Sequence, residues 1–369
     1  MKYAPSLPPP FITALKIAGI FLALYFFIVG VGGMGHAFKL FGAAFAEQLL
    51  AATSNPLKAL CIGILATSLV QSSSTSTSII VGMVAGGALS GQAAVFMIMG
   101  ANIGTSITSM LVSLGHIHRK QELERAFSVA SVHGFFNLSA VAILFPIELS
   151  TGLLSRAASG SADLFAGLGG MRLSNPLKAA TEPTIEAIAA LSMHNGWVMI
   201  IVTVALTYGM LVCIVKLLRS MVLHRMEQFF DTHLFRNSGR AMAFGLILTF
   251  AVQTSSVPTA LVVPLAGAGI LKLAQVYPYC LGSNLGTTMT AMLAALATGS
   301  DVAVKAAFAH LLFNILGILL IWPIPAVRRI PMKVAEFMGR RARDNRYIPL
   351  AVVALLYFLV PAVFVFILN

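Results

Sequence analysis

The chain has 369 residues, of which 58% are hydrophobic and only 10% charged, and its mean hydropathy is +0.90. Soluble domains carry about 25% charged residues, so a soluble enzyme or a nucleic-acid-binding fold is excluded as the body of the protein. The formal net charge of +12 reads as loop charge gathered on one side of a membrane, because the aromatics sit inside apolar segments and do not interleave with a basic patch.

Taken in order, apolar stretches of spanning length occupy 17–37, 126–147, 197–218, 302–324 and 350–368, where a bilayer requires about 20 apolar residues per helix. The first is too long for the apolar region of a signal peptide and no A-x-A-like site follows it, so it is expected to be retained. The short amphipathic "FAEQLLAA" after it, and "RMEQFFDTHLF" after the span at 197–218, are expected to lie in the headgroup plane. Between the first two spans come four half-length apolar pieces separated by polar breaks. One break is "QSSSTSTS" at 71–78 and another is "GANIGTS" at 100–106. Cys61, Cys213 and Cys280 lie in apolar segments without metal-ligand spacing, so neither a disulfide frame nor a zinc site is expected.

The chain then repeats itself. "VQSSSTST" at 70–77 matches "VQTSSVPT" at 252–259, and "MGANIGTSIT" at 99–108 matches "LGSNLGTTMT" at 281–290, both at an interval of 182 residues. "HGFFN" at 133–137 matches "HLLFN" at 310–314 at an interval of 177, the five-residue change falling in the loop between. If one pair of half-length pieces in each copy is a re-entrant hairpin and the other a broken span, each copy crosses an odd number of times and the second enters inverted. The residues leave open which pair is the hairpin. The expectation is an all-α polytopic membrane protein of two inverted-topology repeats with re-entrant hairpins and broken transmembrane helices, the architecture of secondary transporters. The first repeat occupies 1–149, a connecting segment 150–193, the second repeat 194–325, and a basic loop with a final span 326–369. With the N-terminus in the cytoplasm, 17 of the 24 Lys and Arg fall on the cytoplasmic side, which places 150–193 and the C-terminus outside a cell membrane.

Backbone that leaves the helix inside a membrane must be buried in protein or line a wet cavity. Gly100, Gly104, Gly282 and Gly286 are expected to supply bending freedom, and Pro258 to break its helix. Each break offers free N–H groups to an anion and free carbonyls to a cation. None of the four motifs contains Lys, Arg, Asp or Glu. An anion held there needs co-bound cations, which points to sodium coupling, and the missing intramembrane carboxylate argues against a proton relay. A hydroxyl cluster alone is ordinarily a helix-packing device; four clusters in two superposable copies outweigh that reading. His133 with Asn137 and His310 with Asn314 share a helix face at i, i+4 and are expected to make interhelical hydrogen bonds.

"NPLKALCIGILATSLVQSSSTSTSIIVGMVAGGALS", "IMGANIGTSITSMLVSL", "ERAFSVASVHGFFN", "VQTSSVPTALVVPLAGAGIL" and "LGSNLGTTMTAMLAALA" resemble the type II sodium–phosphate cotransporters, over roughly residues 11–325. The resemblance implies phosphate held by Gln71, Ser72, Ser73, Ser74, Gln253, Thr254, Ser255 and Ser256, with Asn102 and Asn284. For sodium it implies Gln71, Thr75, Asn102, Thr105, Ser106, Gln253, Thr259, Asn284, Thr287 and Thr288. It also implies symport by alternating access, no catalysis and no cofactor beyond the coupling ion. Phosphate, sodium and the bilayer are the expected partners, with no nucleic acid, for a monomer or homodimer. Thr254 stands where the family typically has Ser, and the connecting segment lacks the cysteines of the long loop in animal members, which points to a compact prokaryotic member. Other readings are a sodium-coupled carrier of another small oxyanion or a carboxylate, an anion channel, and an intramembrane hydrolase. The last lacks a Gly-x-Ser-x-Gly elbow and an acid partner.

Overall fold

The computed structural model describes residues 9–170, 174–226 and 234–367, which are helical with no strand among them. The first crossing is α1 (Pro9–Leu40), followed by the short α2 (Gly42–Ala52), which meets the next helix at 96°. Phe41 and Phe45 stack with Trp197 at 4.7 and 5.9 Å between ring centres, an aromatic anchor of the kind that sits at membrane interfaces. The second amphipathic segment expected in the headgroup plane falls mostly outside the described residues.

Next come α3 (Pro56–Val70) and α4 (Ser73–Ala85), then α5 (Gly91–Gly104) with α6 (Ile107–Ser113). At 1.5 Å per residue, α3 and α4 are each about 20 Å long and too short to cross a hydrocarbon core of about 30 Å. The stretch Gly91–His116 is long and apolar enough to cross. Packing settles which pair is the hairpin. Gly82 and Gly86 of α4 lie against Met34 and Phe38 of α1, so α4 ends level with the end of α1, on the face where α3 began. The α3–α4 pair is therefore the re-entrant hairpin, and α5–α6 is the broken span.

From there α7 (Lys120–Thr151) returns to the first face, followed by α8 (Leu153–Gly167) and α9 (Ser174–Leu191), whose Ile185 packs against Gly32 of α1. Buried Glu148 accepts from the backbone N–H of Leu154 and fastens the start of α8. The helix α10 (Gly196–Met226) runs antiparallel to α1, with Thr207 against Gly30, Thr203 against Gly33 and Phe41 against Gly196. It delivers the second repeat from the opposite face: the hairpin α11 (Ser238–Val252) and α12 (Ser256–Gly267), then α13 (Leu273–Thr298) and α14 (Asp301–Ile321). Arg125 at the start of α7 donates from Nε to Gly267 O at 3.0 Å, which puts the open end of this hairpin on the second face. The two hairpins thus enter from opposite sides. Both begin with the same cap: Asn55 accepts from the N–H groups of Leu57 and Lys58, and Asn237 from those of Gly239 and Arg240.

The basic segment expected as a loop is a helix, α15 (Pro325–Asp344), packed on α7 through Pro331, Ala335, Gly339 and Ala342. Its small residues permit close approach, and at the edge of that seam Arg343 donates from Nη1 to Glu124 of α7 at 3.1 Å. The last crossing is α16 (Ile348–Ala354), a π-helical turn at Leu355–Leu359 and α17 (Val360–Ile367). Two expectations about backbone breaks change. The span α13 is one unbroken helix through "GSNLGTT". A Cβ at Gly100 would overlap Leu60 O, and one at Gly282 would overlap Met242 O, so these glycines let α5 pack on α3 and α13 on α11 instead of bending the chain. Pro258 lies in the first turn of α12, where a missing N–H leaves no bond unmade, so it begins a helix and does not break one.

Candidate functional site

Each hairpin turns on its glutamine. Gln71 and Gln253 have φ of 55° and 57°, and each donates its N–H four residues back, to Thr67 O and Thr249 O at 2.7 Å. This left-handed closure ends the entering half-helix, and the next half-helix starts within two or three residues. Ser72 caps α4 by accepting from Thr75 N–H at 3.2 Å. The result is a helix N-terminus at each hairpin tip, with N–H groups unused by the helix and free for an anion.

The tips meet. Ser74 Oγ donates to Gln253 O at 3.0 Å, and Ser256 Oγ donates to Gln71 O at 3.2 Å. These are repeat-equivalent residues bonding each other's carbonyls across the pseudo-two-fold axis. The spans beside the hairpins join in: Thr105 Oγ1 donates to Ser73 Oγ at 2.8 Å, and Thr108 Oγ1 to Gln71 O at 3.3 Å. Thr290, the counterpart of Thr108, donates to Gln253 Oε1 at 2.8 Å. Across the repeats, Ser109 Oγ donates to Thr259 Oγ1 at 3.0 Å. Ser73, Ser74, Thr75, Thr254, Ser255, Ser256 and Thr259 are buried, whereas Gln71 is exposed and Ser72 and Gln253 are half-buried. Ser255 Oγ is buried with no partner. The arrangement offers hydroxyl and N–H donors to one oxyanion from both repeats, and carbonyl oxygens to small cations.

Other expected site residues lie in different surroundings. Ser106 bonds Tyr357 OH at 2.7 Å and so faces the last crossing. Thr287 and Thr288 donate back along their own helix to Asn284 O and Leu285 O. Asn284 is fully committed, with Oδ1 accepting from His133 Nε2 at 2.5 Å and Nδ2 donating to Asn137 Oδ1 at 2.7 Å. Asn102 Nδ2 donates to Ile98 O. In this conformation Asn284 is tied into the scaffold behind the tips, and Asn102 turns its amide nitrogen back to its own helix. Among the described residues no group of three His, Cys, Asp or Glu could hold a metal ion.

A profile of the Na+/Pi-cotransporter family matches residues 26–173 and 205–330. Sodium-dependent phosphate transport protein 2A of Ovis aries is 32% identical over 431 residues, covering 95% of this chain and 67% of its own length. The chain belongs to the Na+/Pi-cotransporter family. Sodium-dependent phosphate transport protein 2C of Rattus norvegicus is 33% identical, over 94% of this chain and 72% of the relative. Protein 2B of Homo sapiens is 31% identical, over 92% and 63%. No solved structure matches the chain. Within this Na+/Pi-cotransporter chain, Thr108 and Thr290 are tip-bonding residues that motif reading passed over. Their signal was present, since both close the paired stretches "GTSIT" and "GTTMT" at the common interval.

Proposed function

We propose that this chain is a sodium-coupled phosphate symporter that holds phosphate between its two hairpin tips and exposes that site to each face in turn. The observation that carries the reading is the reciprocal pair Ser74–Gln253 and Ser256–Gln71. It brings hydroxyls from both inverted repeats to one point, beside two helix N-termini. Lys and Arg are absent from the tips and from the neighbouring breaks, so the positive charge that a phosphate requires comes from its co-substrate. When phosphate enters, Ser74 and Ser256 turn to its oxygens. That leaves Gln71 O and Gln253 O as acceptors for sodium, with Thr75, Thr105 and Thr259 beside them. The basic second face, which carries Lys16, Arg119, Lys120, Lys272 and the arginines of α15, is the cytoplasmic one.

Purified protein in liposomes is expected to take up labelled phosphate along a sodium gradient, with saturation. Ser74→Ala and Ser256→Ala each should lower kcat/KM about tenfold or more, a loss typical of a hydrogen bond to a charged ligand. Arsenate should compete and succinate should not. Equal uptake in sodium and choline would refute coupling, and competition by succinate alone would move the substrate to the carboxylates.

A further inference from the structure

Inverted repeats give each position a counterpart, and one set of buried polar counterparts here is unequal. On one side His133 Nε2 donates to Asn284 Oδ1, Asn284 Nδ2 donates to Asn137 Oδ1, and Asn137 Nδ2 donates to Asn102 O at 2.5 Å. This chain ties α7 to α13 and to the end of α5. The equivalent residues on the other side are His310, Asn102 and Asn314, on α14 and α5, which also pack against each other. There the chain is unmade. Neither ring nitrogen of His310 has a partner, nor does Asn314 Oδ1, although both residues are fully buried. Asn102 Nδ2 turns to Ile98 O and Asn314 Nδ2 to His310 O, each within its own helix.

Burying polar atoms without partners costs stability that a leucine at the same position would not. Their immediate surroundings on the helix are apolar and well packed, with Ala306, Ala307, Ala309 and Phe313 buried around them. The cost is accounted for if the missing bonds form in another conformation. We propose that His310 and Asn314 are positioning residues for Asn102 in the opposite access state. There Asn102 releases Ile98 O, accepts from His310 and donates to Asn314, while the His133–Asn284–Asn137 chain opens. Asn102 lies one helical turn before Thr105, the residue bonded to Ser73 at the tip, so the exchange re-aims the first repeat's share of the site. The inference rests on the alternating-access reading above and names the residues that make its two states distinct.

Kinetics and spectroscopy on the full chain in liposomes test it together. His310→Leu keeps the packing and removes the donor. It should lower kcat for phosphate uptake about tenfold, the effect of one lost hydrogen bond to a buried group, with phosphate KM within about twofold. His310→Gln, which keeps a donor, should recover most of the rate, whereas a packing role would tolerate leucine better than glutamine. In ring-¹⁵N-labelled protein, the His310 signal, identified by its loss in His310→Leu, should be that of an unbonded imidazole. In His133→Leu, where the present chain cannot close, it should move to the hydrogen-bonded position. Unimpaired uptake by His310→Leu, or a His310 signal that is the same in both proteins, would overturn the proposal. If the unmodified protein fails to transport phosphate, the transport reading falls instead, and the ring signals still decide whether the two chains exchange.

Discussion

At the scale of single residues, Gln71 and Gln253 combine two demands that a sequence does not display together. Their backbone is left-handed, a conformation that glycine or asparagine ordinarily occupies and that costs other residues about 1–2 kcal/mol. Retaining glutamine against that cost implies that the amide is used. Gln71→Gly should therefore keep or raise thermal stability, by about 1 kcal/mol at most once the unfolded chain's added freedom is counted, yet lose phosphate uptake. Gln71→Ala, which keeps the left-handed backbone and its cost, should leave stability about unchanged and also lose uptake. A glycine variant with full uptake would show that the tip requires only the turn. The hydroxyl motifs were legible because polar residues in hydrocarbon are conspicuous. The commitment of Asn284 to His133 and Asn137 was not, because its partners come from a helix about 150 positions away.

At the scale of elements, the repeat interval revealed two copies of one unit, and the half-helix lengths limited what each could do. Which pair turns back was not legible, since α3 and α5 have nearly the same length and polarity; the register of α4 against α1 decides it. The glycines mark the same limit. In sequence Gly100 and Gly282 read as hinges, and in the fold they are the contact points of α5 on α3 and of α13 on α11. Gly100→Val and Gly282→Val should each lower stability in detergent by roughly 1–3 kcal/mol, the cost of overpacking a filled interface. Gly115→Ala, which has no atom within 4 Å of its new methyl group, should be neutral. A hinge role would instead leave stability intact and slow transport. The helix α15 was hidden because its apolar positions serve a narrow seam on α7, and its many charges read as loop.

For the whole molecule, two inverted units place their hairpin openings on opposite faces and their tips at a shared centre, and the charge distribution gives the two faces different identities. Single cysteines in a background lacking Cys61, Cys213 and Cys280 check this. At position 305 a cysteine should react with a membrane-impermeant reagent in intact cells, and at position 340 only after permeabilisation; the reverse pattern would invert the assignment. The central claim is that one oxyanion is held jointly by the two tips. Anomalous scattering from arsenic, in crystals grown with sodium and arsenate, locates the oxyanion directly. The arsenic peak should lie between 71–74 and 253–256, within hydrogen-bond reach of Ser74 and Ser256. A peak held by one repeat alone, or away from both tips, would contradict the account.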